Sequence, residues 1–145
     1  MSRTDQFTVG GVMTTDLLTV NRDEPLDLAA LVMDRRRIRQ LIVIDEDGRL
    51  LGLVTYRALL RLLADRRADE LGQGIAVARY MEADPVTVSP DTPLRDAIRI
   101  MMDTGASALP VVDDGRAIGI LSEHDVVRVA GGLLELFPRP GPGGP

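Results

Sequence analysis

Ser122 and Asp125 stand three residues apart in the stretch GILSEHDVV, where an apolar run gives way to a helix-like one. A hydroxyl followed by an acid at this spacing forms a capping box, each side chain bonding a free backbone N–H of the other residue. The same pair has a second use. A carboxylate presents two acceptor oxygens whose hydrogen bonds are charge-assisted. The donor N–H groups of a helix start also favour a bound anion. An earlier stretch, GLVTYRALL, repeats the layout with Thr55 as the hydroxyl, but Ala58 stands where the acid would be. A methyl group accepts nothing, so any chemistry done by Asp125 is missing from the first copy.

Other chemistry is scarce. The 145 residues contain no cysteine and one histidine, His124, which excludes disulfides, thiol nucleophiles and His- or Cys-rich metal clusters. No nucleophile–base set is apparent. The glycines at Gly10-Gly11 and Gly72-Gln73-Gly74 do not follow strands, so they do not read as phosphate-cradling loops. The expectation is a non-enzyme that requires no cofactor. A net charge of −5 gives no general attraction to nucleic acid or anionic membrane. The N-terminal stretch lacks an apolar signal core and no apolar run reaches spanning length, so the default expectation is the cytoplasm. Aromatics are only 3%, and the core must be aliphatic.

The elements that position these residues occur twice. Shifted by 68, residues 13–45 fall on 81–113 with 12 of 33 positions identical, among them Met13/Met81, Asp16/Asp84, Pro25/Pro93 and Met33/Met101. The second copy then drops one turn residue, and Gly48/Gly115, Arg49/Arg116 and Gly52/Gly119 match at a shift of 67. Each copy reads as an extended piece (17–20, 85–88), then a helix running to about Arg36 and Asp103. Asp23 or Asp91 is placed to cap that helix, with Pro25 or Pro93 in its first turn. Nearly continuous apolar strands follow at 41–45 and 109–113, as expected of strands covered on both faces. Asp-Gly turns return the chain as 50–55 and 117–122. A second helix starts after the hydroxyl, continuing to about Leu71 in the first copy and meeting Gly131-Gly132 in the second. The fold class is α+β, two β-α-β-β-α units spanning 9–71 and 78–130. One unit buries too little alone, so the two are expected to share a core. The Pro/Gly-rich tail at 138–145 reads as disordered.

VMTTDLLTV, YMEADPVTV, LPVVDD and GILSEHDVV, found in the same order twice, resemble a tandem pair of cystathionine β-synthase (CBS) domains, a Bateman module. The resemblance covers roughly residues 9–130. The wording of the first copy is also similar to CBS pairs fused to glutamate–cysteine-ligase-like enzymes. The resemblance implies two units packed about a pseudo-twofold axis, with clefts between them that hold adenosine-type ligands. It implies that Asp125 grips a ribose cis-diol with Ser122 near the ribose–phosphate junction. Thr55 would stand at the equivalent place in the copy that lacks the acid. The backbone of Val86, Thr87 and Val88, with that of Leu109, Pro110 and Val111, would frame the base; the alternative for these side chains, Val88 and Val111 above all, is plain core. His124, Arg57, Arg39 and Arg37 would face the phosphates. Pro110 is matched by Ile42 in the first copy, a further departure there.

The function implied is regulatory: binding of AMP, ADP or ATP, ahead of S-adenosylmethionine or NAD, with occupancy passed to an effector protein or a fused domain. The alternative is a structural dimerisation scaffold without a physiological ligand. A homodimer is expected through the helices after Thr55 and Ser122, which carry Leu59, Leu60, Leu63, Val126 and Val127.

Overall fold

The computed structural model describes residues 7–136. A one-turn helix α1 (Val9–Val12) leads into strand β1 (Thr19–Asn21), helix α2 (Leu26–Arg36), strands β2 (Gln40–Ile44) and β3 (Leu50–Thr55) and helix α3 (Tyr56–Ala64). Two 3₁₀ turns, Ala68–Glu70 and Val77–Arg79, make the link. The second copy follows as β4 (Glu82–Ala83), α4 (Leu94–Thr104), β5 (Ala108–Asp113), β6 (Arg116–Ser122) and α5 (Glu123–Leu136).

The repeat is legible in the pairing. In the first unit β1 runs parallel to β2, and β2 antiparallel to β3. In the second, Val88 bridges Val111 in parallel fashion and β5 pairs antiparallel with β6. The β5–β6 turn places Asp114 and Gly115 both at positive φ (52° and 78°), the backbone of a two-residue primed turn.

Each sheet is completed by the other repeat. β4 pairs along β3 through Gly52 and Leu53, and Thr14 bridges Ile120 of β6. The repeated glycines permit these crossings. A Cβ at Gly119 would lie 2.5 Å from Met13 Sδ and 3.1 Å from the Thr14 carbonyl, and one at Gly52 would lie 2.7 Å from the Glu82 carbonyl and 2.8 Å from Met81 Sδ. The identities Met13/Met81 and Gly52/Gly119 are thus two sides of one close approach, made twice.

The apolar core forms two clusters rather than the single shared one expected. Val9 and Val12 pack with Leu109, Val111 and Leu121 of the second unit, whereas Val77 packs with Leu41, Val43 and Val54 of the first. The lead segments are exchanged, and the exchange fastens the units.

Three local expectations are corrected. Asp23 and Asp91 are exposed, and neither α2 nor α4 has a side-chain cap. Instead Pro25 and Pro93 occupy the capping position, and the Leu26 and Leu94 N–H groups donate to the carbonyls of Ile75 (2.7 Å) and Phe7 (2.9 Å). Helix α3 stops at Ala64, because Arg66 turns left-handed at φ 58°. Helix α5 runs through Gly131 and Gly132 to Leu136. The 138–145 tail lies outside the described residues.

Candidate functional site

The N-terminus of α5 lies where the two units meet, and it forms one wall of a cleft of about 540 Å³. Asp125 is 1% exposed, with both carboxylate oxygens engaged. Oδ2 accepts from the Ser122 N–H (2.9 Å) and the Ser122 hydroxyl (3.1 Å), while the Asp125 N–H donates back to Ser122 Oγ (3.3 Å). That is the capping box read from the spacing. Oδ1 accepts from Thr14 Oγ1 (2.9 Å) and faces Arg128 Nη2 at 3.0 Å. Arg128 also donates to the Val12 carbonyl (3.1 Å), tying α5 to the end of α1. The buried charge is therefore paired and hydrogen-bonded, the condition under which a carboxylate is tolerated in a core.

Across the cleft stand residues of the first unit. Asp16 and Leu18 come from the lead segment, and Arg37, Ile38, Arg39, Gln40 and Ile42 from the α2–β2 junction. Ile120, Ser122, Glu123 and His124 complete the second unit's side. Arg39 and His124 thus share the cleft with Ser122 and Asp125. Arg37 adopts a left-handed conformation (φ 54°) at the end of α2. Its repeat counterpart is Gly105, at φ 73° at the end of α4. A non-glycine residue held there carries strain, and this one lines the cleft.

Thr55, Arg57 and Val86 belong to a different cleft of about 410 Å³, with Ala58, Arg61, Tyr80 and Glu82. Position by position it is the repeat image of the first. Glu82 stands where Thr14 does, Ala58 where Asp125 does, and Arg61 where Arg128 does. An acid is present, but on the lead segment instead of the helix.

Of the residues expected to frame the base, Val86 lines the second cleft, while Thr87, Val88, Leu109, Pro110 and Val111 line neither. Val88 and Val111 are buried in the second unit's core, Leu109 is 0% exposed, and Pro110 is buried with its carbonyl accepting from the Val88 N–H (3.1 Å). Thr87 is exposed and lines neither cleft. The reason is the exchange of lead segments, which sets each α-helix start against the other repeat's extended piece. The apolar wall facing Asp125 is Leu18, Ile38 and Ile42, so Ile42 belongs to the acid-bearing cleft and not to the cleft of Ala58. Sequence reading missed Thr14 for the same cause. The signal lay in the glycine–methionine identities, which mark where one repeat crosses the other.

The family model of the CBS domain matches residues 9–65 and again 77–132. The chain belongs to the CBS-domain family. Its two units form a tandem CBS pair. It is 33% identical over 137 residues to a CBS domain-containing protein of Dictyostelium discoideum, covering 88% of this chain and 93% of that one. The CBS pair superposes on the crystal structure of CBSX2 in complex with AMP with a TM-score of 0.77, at 35% identity over 88% of this chain and 98% of that one. It likewise matches the CBS domain pair of protein MJ0100 in complex with 5′-methylthioadenosine and S-adenosyl-L-methionine, at TM-score 0.78 and 25% identity over 88% and 98% of the two chains. A homoserine O-acetyltransferase of Methanohalobium evestigatum is 33% identical over 130 residues, and there the match spans 24% of the longer protein. Among the described residues no group of three or more His, Asp or Glu could hold a metal ion, and no helix is long and apolar enough to cross a membrane.

Proposed function

We propose that this CBS pair is a non-catalytic sensor that binds an adenosine-containing molecule in the Asp125 cleft and passes its occupancy to a partner protein or fused domain. The observation that carries the reading is the buried carboxylate of Asp125 at a helix N-terminus on the wall of a 540 Å³ cleft. A cleft of that size suits a nucleotide. The carboxylate can accept from a ribose diol, Leu18 and Ile38 offer an apolar face to a base, and Arg37 and Arg39 offer positive charge and His124 a ring N–H to phosphate. The adenosyl group is common to the ligands named with the two similar crystal structures, which supports the class, and AMP, ADP, ATP, S-adenosylmethionine and NAD are the probes.

One tight site per chain is expected, because Ala58 deprives the other cleft of the helix-borne acceptor. Calorimetry with AMP, ADP, ATP, S-adenosylmethionine and NAD, together with native mass spectrometry for retained ligand, tests this. Two equivalent tight sites, or none for any of these ligands, would overturn it.

A scaffold reading is favoured by one surface. Leu60 and Leu63 of α3 and Val127 and Leu134 of α5 are each more than half exposed. Exposed apolar side chains on these two helices, of which Val127 also lines the Asp125 cleft, suit a homodimer contact. Leu59 and Val126 are turned inward against the cores and do not contribute. A light-scattering mass of one 15.7 kDa chain at tens of micromolar would remove the dimer.

A further inference from the structure

The carboxylate of Asp125 has no free acceptor position. Each oxygen takes two donors, and those donors divide by location. Ser122 N–H and Arg128 Nη2 are anchoring donors, one a main-chain group of the cap and the other a residue that does not line the cleft. Thr14 Oγ1 on Oδ1 and Ser122 Oγ on Oδ2 are hydroxyls of cleft-lining residues. One hydroxyl per oxygen is what a ribose cis-diol would supply. A carboxylate oxygen has about two lone-pair sites, so a diol cannot simply add to this arrangement.

We propose that Thr14 is a built-in competitor for ribose and sets the sugar preference of the cleft. In the free protein its hydroxyl occupies Oδ1, and binding exchanges it for a ribose hydroxyl. The exchange requires no backbone movement. Thr14 is held by reciprocal main-chain bonds with Ile120 (2.9 and 3.0 Å), so a rotation about χ1 frees Oδ1 while the lead segment stays paired. Arg128 remains behind the carboxylate and keeps it oriented. Ser122 gives up its bond to Oδ2 in the same way, but it also accepts from the Asp125 N–H and so belongs to the cap. Thr14 has no such second duty among the described hydrogen bonds of its side chain. The second cleft bears the contrast, since Glu82 at the Thr14 position supplies no hydroxyl to exchange. This inference rests on the adenosyl reading of the cleft and specifies how that site chooses its sugar.

The test compares Thr14→Val, which keeps the shape and removes the donor, with Thr14→Ser and the unaltered protein. The probes are AMP and its 2′-deoxy and 3′-deoxy analogues, measured by calorimetry. Removing the competitor should tighten AMP about fivefold, the scale of one modest hydrogen bond, while Thr14→Ser stays within about twofold of the unaltered protein. The sharper readout is the analogue that lacks the hydroxyl facing Oδ1. In the unaltered protein it leaves the Thr14 bond intact and loses little relative to AMP. In Thr14→Val it leaves Oδ1 with Arg128 as its one remaining donor, so its penalty relative to AMP should grow about fivefold. A purely structural effect of the substitution would move all three nucleotides by one factor. If AMP binds the unaltered protein but Thr14→Val weakens it, leaves it unchanged or shifts all three nucleotides alike, the competitor proposal is overturned and the adenosyl site stands. If neither protein binds AMP, this proposal fails, and the adenosyl reading fails with it when ADP, ATP, S-adenosylmethionine and NAD do not bind either. Binding by Thr14→Val alone supports it, as a competitor too strong for the probe.

Discussion

Replacing Asp125 by alanine should destabilise the free protein by about 2–2.5 kcal/mol, a figure assembled from its separate contacts. Loss of the cap to Ser122 contributes about 1 kcal/mol. Thr14 Oγ1, half-buried and deprived of its acceptor, adds roughly 1 kcal/mol more. Arg128 loses its counter-charge, but its side chain is 54% exposed, so water takes over and this loss adds about 0.5 kcal/mol at most. For a chain of this length the sum corresponds to a fall in Tm of about 6–12 °C. Circular dichroism melts of Asp125→Ala, Thr14→Val and the double variant measure it. The two sites are in contact, so the double variant should be less destabilised than the sum of the singles, by about 0.5–1 kcal/mol. A single-variant fall under about 2 °C, or strict additivity, would refute the contacts on which the cleft is built. The capping role of Asp125 and its proposed ligand-binding role fall on one side chain. Loss of stability alone does not decide between them, and affinity per folded molecule must be measured beside it.

Arg37→Gly should stabilise the free protein by about 0.5–1 kcal/mol by relieving the left-handed conformation, while weakening AMP if its guanidinium meets phosphate; melts and calorimetry read both. Gly119→Ala should cost about 1–3 kcal/mol by overpacking, because its Cβ would press on Met13 Sδ and on the Thr14 carbonyl, and a stable variant would mean that the lead segment is not seated on β6. Glu70 accepts from the Tyr80 hydroxyl and pairs with Arg67. The Tyr80 hydrogen bond first, and Arg67 after it, hold its carboxyl below the ordinary 4.5. That depressed value stabilises the fold above about pH 4.5, and the contribution is lost as pH falls through the lower folded-state value. Exchange protection at 67–75, taken relative to the intrinsic rate at each pH, should therefore fall on acidification below that point, and Glu70→Gln should abolish that fall.

The sequence carried the order of elements because the repeat confirmed each one twice. Pro25 and Pro93, the Asp-Gly turns and the strand runs all lie where local chemistry decides the backbone. The misreadings arise where a distant segment decides instead. Asp23 looked like a cap, but the Leu26 N–H is satisfied by the Ile75 carbonyl, about fifty residues on in the chain. Helix α3 looked able to reach Leu71, but the chain turns left-handed at Arg66 and closes the link with short turns instead. Ser122 and Asp125 were found because a capping box is a local pattern. Thr14, 111 residues away from Asp125, was not.

The same exchange changes what would be needed to arm the second cleft. Ala58→Asp alone would set a carboxylate near Glu82, at the position where the acid-bearing cleft has a hydroxyl. Like charges facing one another at the rim of a cleft destabilise each other, and the new acid would lack the donor that Thr14 gives Asp125. Arg61 is already in the position of Arg128, so the missing parts are two. Ala58→Asp with Glu82→Thr supplies both and conserves the net charge of −5. The double variant should melt higher than Ala58→Asp alone and should gain a second AMP site by calorimetry. If Ala58→Asp binds a second AMP as well as the double variant does, the hydroxyl at the lead-segment position is irrelevant to building the site. The correspondence of Thr14, Asp125 and Arg128 with Glu82, Ala58 and Arg61 would then be a likeness of sequence position without consequence for binding.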